Sequence, residues 1–280
     1  MNNLTIAISG ATGLVGSRII ELLSSDYTFI PLLTDQVEIR DRQSVHAFMT
    51  QHRFDLFLHL AAYTNVDGAE TQKKIAQAVN VVGTKNLFAE VMAKKAKFIY
   101  VSTDFVFDGT HPPYSEKSRP HPIGYYGKTK YDGEKAVGKN AMIVRIAYPY
   151  RAEFGAKLDF FRSILKKIRD GQTLHMVTDS LITPTFIDDI AFSLGYLIEN
   201  YRPEIFHLVG ATSLSPYEAA KLIAQTWRYD RNIIQPVTYD EYFKAKAKRP
   251  RYSQIVSLKN TFHQMQSFAD GLKKLYDLSL

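Results

Sequence analysis

The 280-residue sequence contains no cysteine. That excludes disulfides, zinc–thiolate centres and a cysteine nucleophile, and it fits a cytoplasmic protein. No run of about 18 apolar residues occurs, so no membrane span is expected. Residues 1–9 lack a basic n-region followed by an apolar h-region, so no signal peptide is expected and the stretch reads as a strand. Internal repeats and low-complexity segments are also missing. There is no acidic excess: the formal net charge is +7 and the pI about 9.3. The densest basic run, KAKAKRPR at residues 244–251, is expected to be solvated surface rather than a nucleic-acid site. A basic surface also suits small anionic ligands such as a dinucleotide or a nucleotide-sugar diphosphate. What is present, 45% hydrophobic and 22% charged residues, is an ordinary globular composition with room for one large domain or a large and a small one.

The chain opens with an apolar strand over residues 4–9 (LTIAIS), a glycine turn, and a helical pattern over residues 17–24. The turn reads Gly10-Ala11-Thr12-Gly13-Leu14-Val15-Gly16. A strand, a glycine turn and a helix make a dinucleotide-binding unit. Glycine permits the tight turn, absent side chains let backbone approach pyrophosphate, and the helix N-terminus offers N–H groups and a favourable dipole. The spacing is G-x-x-G-x-x-G, not the commoner G-x-G-x-x-G. A second strand spans residues 27–33. Asp35, nineteen residues after Gly16, lies where an acidic side chain would bind the adenosine ribose. Arg40 and Arg42 are close enough in sequence to meet a 2′-phosphate instead, so NADH and NADPH both stay open.

Residues 44–52 are expected as a helix, 55–60 (DLFLHL) as a buried strand and 70–95 as one long helix containing Asn80. The strand runs into Ala61, Ala62 and Tyr63, and small residues at its C-terminal end leave room for a ligand at the sheet edge. His59 is expected to be a core histidine. The strand over residues 97–101 delivers Ser102, Thr103 and Asp104 to the same edge. After a loop over residues 108–124, Tyr126 and Lys130 are expected one turn apart on one helix face. A phenol has a reference pKa of about 10, and a nearby ammonium stabilises its anion. Tyr126 is therefore a candidate proton donor to a carbonyl being reduced, or acceptor from an alcohol being oxidised, with a hydroxyl from Thr103 or Ser102 on the same oxygen. Residues 141–146 form another strand. The alternation predicts an α/β fold, a Rossmann-type doubly wound parallel sheet. The rhythm changes beyond Tyr148, with helices at residues 160–169, 188–200 and 215–227 and short strands at 173–177 and 205–209. The division expected is a dinucleotide-binding region, 1–148, and a smaller substrate-binding region, 149–280, some of whose elements return to the main sheet.

These motifs in this order (GATGLVG, AAYTNVDGAE, NVVGTKNL, STDFVFDG, YYGKTKYDGE, Asp179 with Pro184-Thr185, Arg249-Pro250) resemble the extended short-chain dehydrogenase/reductases, and within them the dTDP-4-dehydrorhamnose reductase branch. The resemblance implies NADPH or NADH as cofactor and a nucleotide-sugar substrate, reduced at a 4-keto group. It implies a catalytic set of Thr103, Tyr126 and Lys130. Gly10, Thr12, Gly13, Leu14, Val15 and Gly16 would line the pyrophosphate, Glu38 and Ile39 the adenine, and Ala61, Ala62 and Tyr63 the cofactor channel. Asn80, read from its place in the long helix rather than from the resemblance, is solvated or locally bonded, or orders the lysine through water. Val66, Asp104, Phe105 and Val106 would border the substrate. No residue is assigned to a metal, and no nucleic-acid or membrane partner is expected. The family sometimes forms dimers, so a homodimer is within the expectation.

The substrate half departs from the family pattern. Ile146-Ala147-Tyr148-Pro149 follows Arg145 where Ser-Trp is usual, and Asp159-Phe160 stands for Asn-Phe. The usual Asp-Gln-x-Gly-x-Pro-Thr reads Asp179-Ser180-Leu181-Ile182-Thr183-Pro184-Thr185. Two other readings stay open: a nucleotide-sugar epimerase or dehydratase, although Thr103 is followed by Asp104-Phe105 rather than an acidic pair, and a cofactor-holding regulatory subunit like the β subunit of methionine adenosyltransferase.

Overall fold

The computed structural model describes residues 4–278, so the outermost residues of the two expected regions lie outside the described residues. The first half runs β1 (Thr5–Ser9), α1 (Leu14–Leu23), β2 (Thr28–Leu32), α2 (Arg42–Gln51), β3 (Leu56–His59), α3 (Val66–Thr71), α4 (Lys73–Gln77), α5 (Thr84–Ala93), β4 (Lys97–Thr103), α6 (Tyr125–Val137) and β5 (Met142–Ile146). The second half runs β6 (Pro149–Tyr150), α7 (Phe160–Arg169), β7 (Leu174–Val177), β8 (Thr185–Phe186), α8 (Ile187–Glu199), β9 (Ile205–His207), α9 (Pro216–Thr226), β10 (Ile234–Val237), α10 (Tyr239–Phe243) and α11 (Phe268–Asp277).

Six strands make one parallel sheet in the order β2-β1-β3-β4-β5-β9. The strands read as nearly continuous apolar runs because both faces are covered. Alternate side chains sort to opposite faces. Ile6, Ile8, Leu58 and Val144 pack on one side with Ile19 of α1 and Ile190 and Leu194 of α8. Ala7, Phe57, Phe98 and Tyr100 pack on the other with Val45 of α2, Leu87 of α5 and Val137 of α6. β9 and α8 thus belong to the main layer although they follow residue 149. A separate core joins α7, α9 and α11 to β7, through Phe161, Leu165, Ile223, Leu272 and Leu174. Helix α9 begins with a full capping box between Ser215 and Glu218 and with Pro216 at its first position, as its sequence predicts.

The single helix expected over residues 70–95 is not formed. The chain leaves helical geometry at Gln72 (φ −110°, ψ 46°). It then passes through a π-helical stretch at Ala78–Gly83 before α5. The Asn65 side chain accepts from Gly68 N and starts α3 earlier than expected. Such π turns are frequent at functional sites, and here the turn carries Asn80.

Two contacts fix α6 against the sheet. Arg145 of β5, fully buried, donates twice to Glu134, at 2.9 and 2.7 Å. Tyr100 of β4 donates to the Lys130 carbonyl at 3.2 Å. Buried charges need such complete pairing.

Candidate active site

The C-terminal ends of β1 to β5 open on a cleft of about 910 Å³, at the sheet edge where open α/β folds bind ligands. Its floor begins at Gly10, whose φ of +74° suits glycine, and whose missing Cβ would lie 2.8 Å from Ala61 N. Gly13 caps α1 with no side-chain hydrogen bond, so the first-turn N–H groups have no capping partner from that residue. A bare glycine turn below an uncapped helix start fits the pyrophosphate of a dinucleotide, and Thr12, Gly13 and Gly16 line the cleft there. At the far end lie Glu38 and Arg40, hydrogen-bonded to each other, with Arg40 holding the Glu38 carboxyl down at about 2.

Tyr126 and Lys130 both sit on α6, which starts at Tyr125. The Glu70 carboxylate caps this helix by accepting from Tyr125 N at 2.7 Å. Gly127 lets the helix come close to the β4 end: a Cβ there would be 2.1 Å from the Phe105 carbonyl oxygen. Lys130 is buried, and its Nζ donates to Val101 O at 2.8 Å while lying 4.2 Å from the centre of the Tyr100 ring. Burial lowers its pKa to about 7, against a raising influence from Glu134. Burial also raises the pKa of Tyr126, helped by Asp104 and opposed by a hydrogen bond with Thr103. Low polarity penalises the charged form of both groups and is the largest influence on each.

Thr103 Oγ1 donates to Asp104 Oδ1 at 3.0 Å and accepts from Phe105 N at 3.3 Å. The second Asp104 oxygen accepts from the Ser253 hydroxyl. Asp104 is buried, and desolvation raises its pKa to about 6 despite these donors. Ser102 Oγ is buried beside the cleft with no hydrogen-bond partner, the state of an atom that a ligand would satisfy.

The cleft brings together Gly10, Thr12, Gly13, Leu14, Val15, Gly16, Glu38, Ile39, Ala61, Ala62, Val66, Thr103, Asp104, Phe105, Tyr126 and Lys130. Four expected residues do not line it. Asp35 is exposed, and Thr34 takes the lining position. Val106 is fully buried in a small core with Phe107 and Tyr114. Tyr63 points its hydroxyl to Gln72 at 3.1 Å. Asn80 is buried outside the cleft lining: it accepts from Tyr63 N at 2.8 Å and donates to Tyr63 O at 3.1 Å and to Oγ1 of Thr129, the residue before Lys130, at 2.9 Å. It holds the β3 loop to α6. His59 is a core residue bonded to Ser9 and Thr84, kept neutral by burial with a pKa near 3.

Tyr148, Phe154, Lys157 and Phe160 line the cleft without having been singled out for it. Tyr148 follows β5 by two residues, Phe154 and Lys157 lie on the loop between β6 and α7, and Phe160 opens α7. The basic run at residues 244–251 is not all solvated surface. Arg249 pairs with Asp67 and Arg251 with Asp179, so its end ties the second half to the cleft rim.

The RmlD substrate binding domain model matches residues 4–279. The chain belongs to this family. The RmlD-family chain is 29% identical over 279 residues to the dTDP-4-dehydrorhamnose reductase of Mycolicibacterium smegmatis, covering 97% of this chain and 84% of that one. It is 31% identical to the methionine adenosyltransferase 2 subunit beta of Rattus norvegicus, covering 89% and 79%. Among solved structures it superposes on dTDP-4-dehydrorhamnose reductase of Bacillus anthracis in complex with NADP, with a TM-score of 0.91, 29% identity and 99% of both chains covered. No helix among the described residues is long and apolar enough to cross a membrane.

Proposed function

We propose that this protein is an NAD(P)H-dependent reductase of the short-chain dehydrogenase/reductase type, acting on a 4-keto nucleotide sugar. Its class, an oxidoreductase, follows from the reductases it resembles along nearly its whole length. The observation that carries the reading is one cleft lined both by the glycine turn and by Thr103, Tyr126 and Lys130.

When bound, the reduced nicotinamide supplies a hydride to the carbonyl carbon. Tyr126 donates the proton to the carbonyl oxygen; burial keeps its phenol protonated at neutral pH. Lys130 titrates near neutrality and supplies the compensating positive charge on the same helix face as the phenolate forms. The sugar end of the cleft has an aromatic wall in which Phe105 stands edge-on to Tyr126 at 5.6 Å and Tyr148 edge-on to Phe160 at 5.8 Å. Tyr148 holds a φ of +40°, a strained conformation of the kind kept at functional sites.

The reading is tested by incubating the protein with NADPH or NADH and a series of nucleotide-linked 4-keto sugars, then weighing the products. A product heavier by two hydrogen atoms is expected. Recovery of every sugar unchanged, with cofactor bound, would contradict it. The similarity to a methionine adenosyltransferase subunit supports a second reading, a cofactor-holding regulatory subunit. That reading requires a stable complex with a methionine adenosyltransferase catalytic chain and no turnover.

A further inference from the structure

Lys157 belongs to none of the motifs that place the reaction, yet it lines the same cleft as Thr103 and Tyr126. It lies on the loop between β6 and α7. That loop is held from behind. Asp159 caps α7, accepting from Arg162 N at 2.8 Å, and Arg162 Nε returns to Asp159 Oδ2 at 2.8 Å. Both residues are buried. The other two guanidinium nitrogens donate to the carbonyl oxygens of Phe154 and Lys157. A guanidinium is a rigid fork, so the carbonyls it binds are fixed in direction as well as place. The backbone at Lys157 is anchored, and its four-carbon side chain is what can move. Lys157 is exposed, and its Nζ donates to Thr64 Oγ1 at 3.2 Å. Thr64 follows β3 and also lines the cleft, so this bond joins two of its walls.

The cleft lining holds three cations, Arg40, Lys130 and Lys157, and three carboxylates, Glu38, Asp104 and Asp159. Arg40 is paired with Glu38, and Asp159 with Arg162. Asp104 takes the hydroxyls of Thr103 and Ser253. Lys130 is buried on Val101 O. Lys157 is left with a neutral hydroxyl as its partner, and among the described residues no carboxylate pairs with it. A phosphate oxygen makes a stronger, charge-assisted bond to an ammonium than a hydroxyl does. The glycine turn offers a pyrophosphate N–H groups and a helix dipole but no full charge.

We propose that Lys157 is the residue of this cleft that recognises a ligand diphosphate, reaching it from a backbone that Arg162 holds. When the ligand binds, Nζ leaves Thr64 for a phosphate oxygen. A nucleotide sugar and a dinucleotide both carry this group. The nucleotide-sugar source rests on the reductase reading; the cofactor source does not.

The test measures dissociation constants for dTDP and for NADPH by titration calorimetry on wild type, Lys157→Met and Lys157→Arg. Lys157→Met should weaken at least one of the two by about tenfold or more, the worth of one hydrogen bond to a charged group. Lys157→Arg should stay within about threefold of wild type, since it keeps the charge. The gap between wild type and Lys157→Met should narrow as salt is raised, because an exposed charge contact is screened. A loss confined to dTDP assigns the diphosphate of a nucleotide sugar, and a loss confined to NADPH that of the cofactor; either supports the proposal. The control is Lys166→Met, an exposed lysine of α7 outside the cleft lining, which should match wild type. Unchanged affinity of Lys157→Met for both probes would overturn the proposal. So would a gap that ignores salt, an equal loss in Lys166→Met, or a wild type that binds neither probe. No arm requires turnover, so failure to reduce any sugar leaves the result standing.

Discussion

Lys130 donates to the carbonyl oxygen of Val101 at 2.8 Å, tying the middle of α6 to β4, an interior strand whose end opens on the cleft. The lysine is 3% exposed, and burial holds its pKa near 7 against an ordinary 10.5. Between those two values the unfolded chain binds a proton that the folded chain does not. Stability therefore rises with pH across that window through this group. Lys130→Met removes the dependence. The unfolding free energy of wild type minus variant should increase by a few kcal/mol between about pH 7 and 10. Parallel curves would place the ammonium in a more polar setting than the structure gives it.

Tyr126→Phe removes the proposed proton donor and leaves the glycine turn untouched. Turnover should fall by about 10²–10⁴-fold, the usual worth of a positioned proton transfer. Cofactor affinity, read by quenching of protein fluorescence, should stay within about twofold, since the phenol is one contact among many. A matching loss of affinity would make Tyr126 a binding residue.

Asp35→Ala tests the cofactor end. The residue is exposed and does not line the cleft. Titration of the variant with NADH and with NADPH should give wild-type dissociation constants for both. A selective loss of NADH binding would show that Asp35 swings in to the ribose and would restore the role its sequence position implies.

Gly127→Ala places a Cβ 2.1 Å from the Phe105 carbonyl oxygen, a backbone atom that cannot step aside cheaply. Overpacking of this kind costs about 1–3 kcal/mol. Denaturant unfolding should show that loss together with lower turnover, because Tyr126 is the adjacent residue. Gly155→Ala meets nothing within 4 Å and should be silent in the same experiment. Equal behaviour of the two variants would mean that α6 does not press on the strand end.

Much of the first half was legible because its signals are local. The apolar runs that became β1, β3 and β4 are buried on both faces, and that burial is what makes them read as continuous. The glycine turn and the Tyr126–Lys130 spacing likewise depend only on neighbours in sequence. The break at Gln72 and the π turn at Asn80 were not legible. Both answer to distant partners: Asn80 bonds across to Tyr63 and Thr129, and no periodicity encodes that. The pairing of β10 with β7 was missed for the same reason, and Pro236 inside β10 weakens any strand signal there. Arg249 and Arg251 look like surface charge in a basic run, and only the folded chain shows Asp67 and Asp179 opposite them. The shifted pKa values of Asp104 and Lys130 are products of burial, which the residue types alone do not announce.

The most direct measurement follows the near-ultraviolet absorbance of NADPH mixed with a nucleotide-linked 4-keto sugar, with wild type and Tyr126→Phe run side by side. The account predicts loss of absorbance in step with the sugar for wild type, and a rate lower by about 10²–10⁴-fold for the variant. Cofactor binding by both proteins with no oxidation by either, or oxidation by both at one rate, would contradict it.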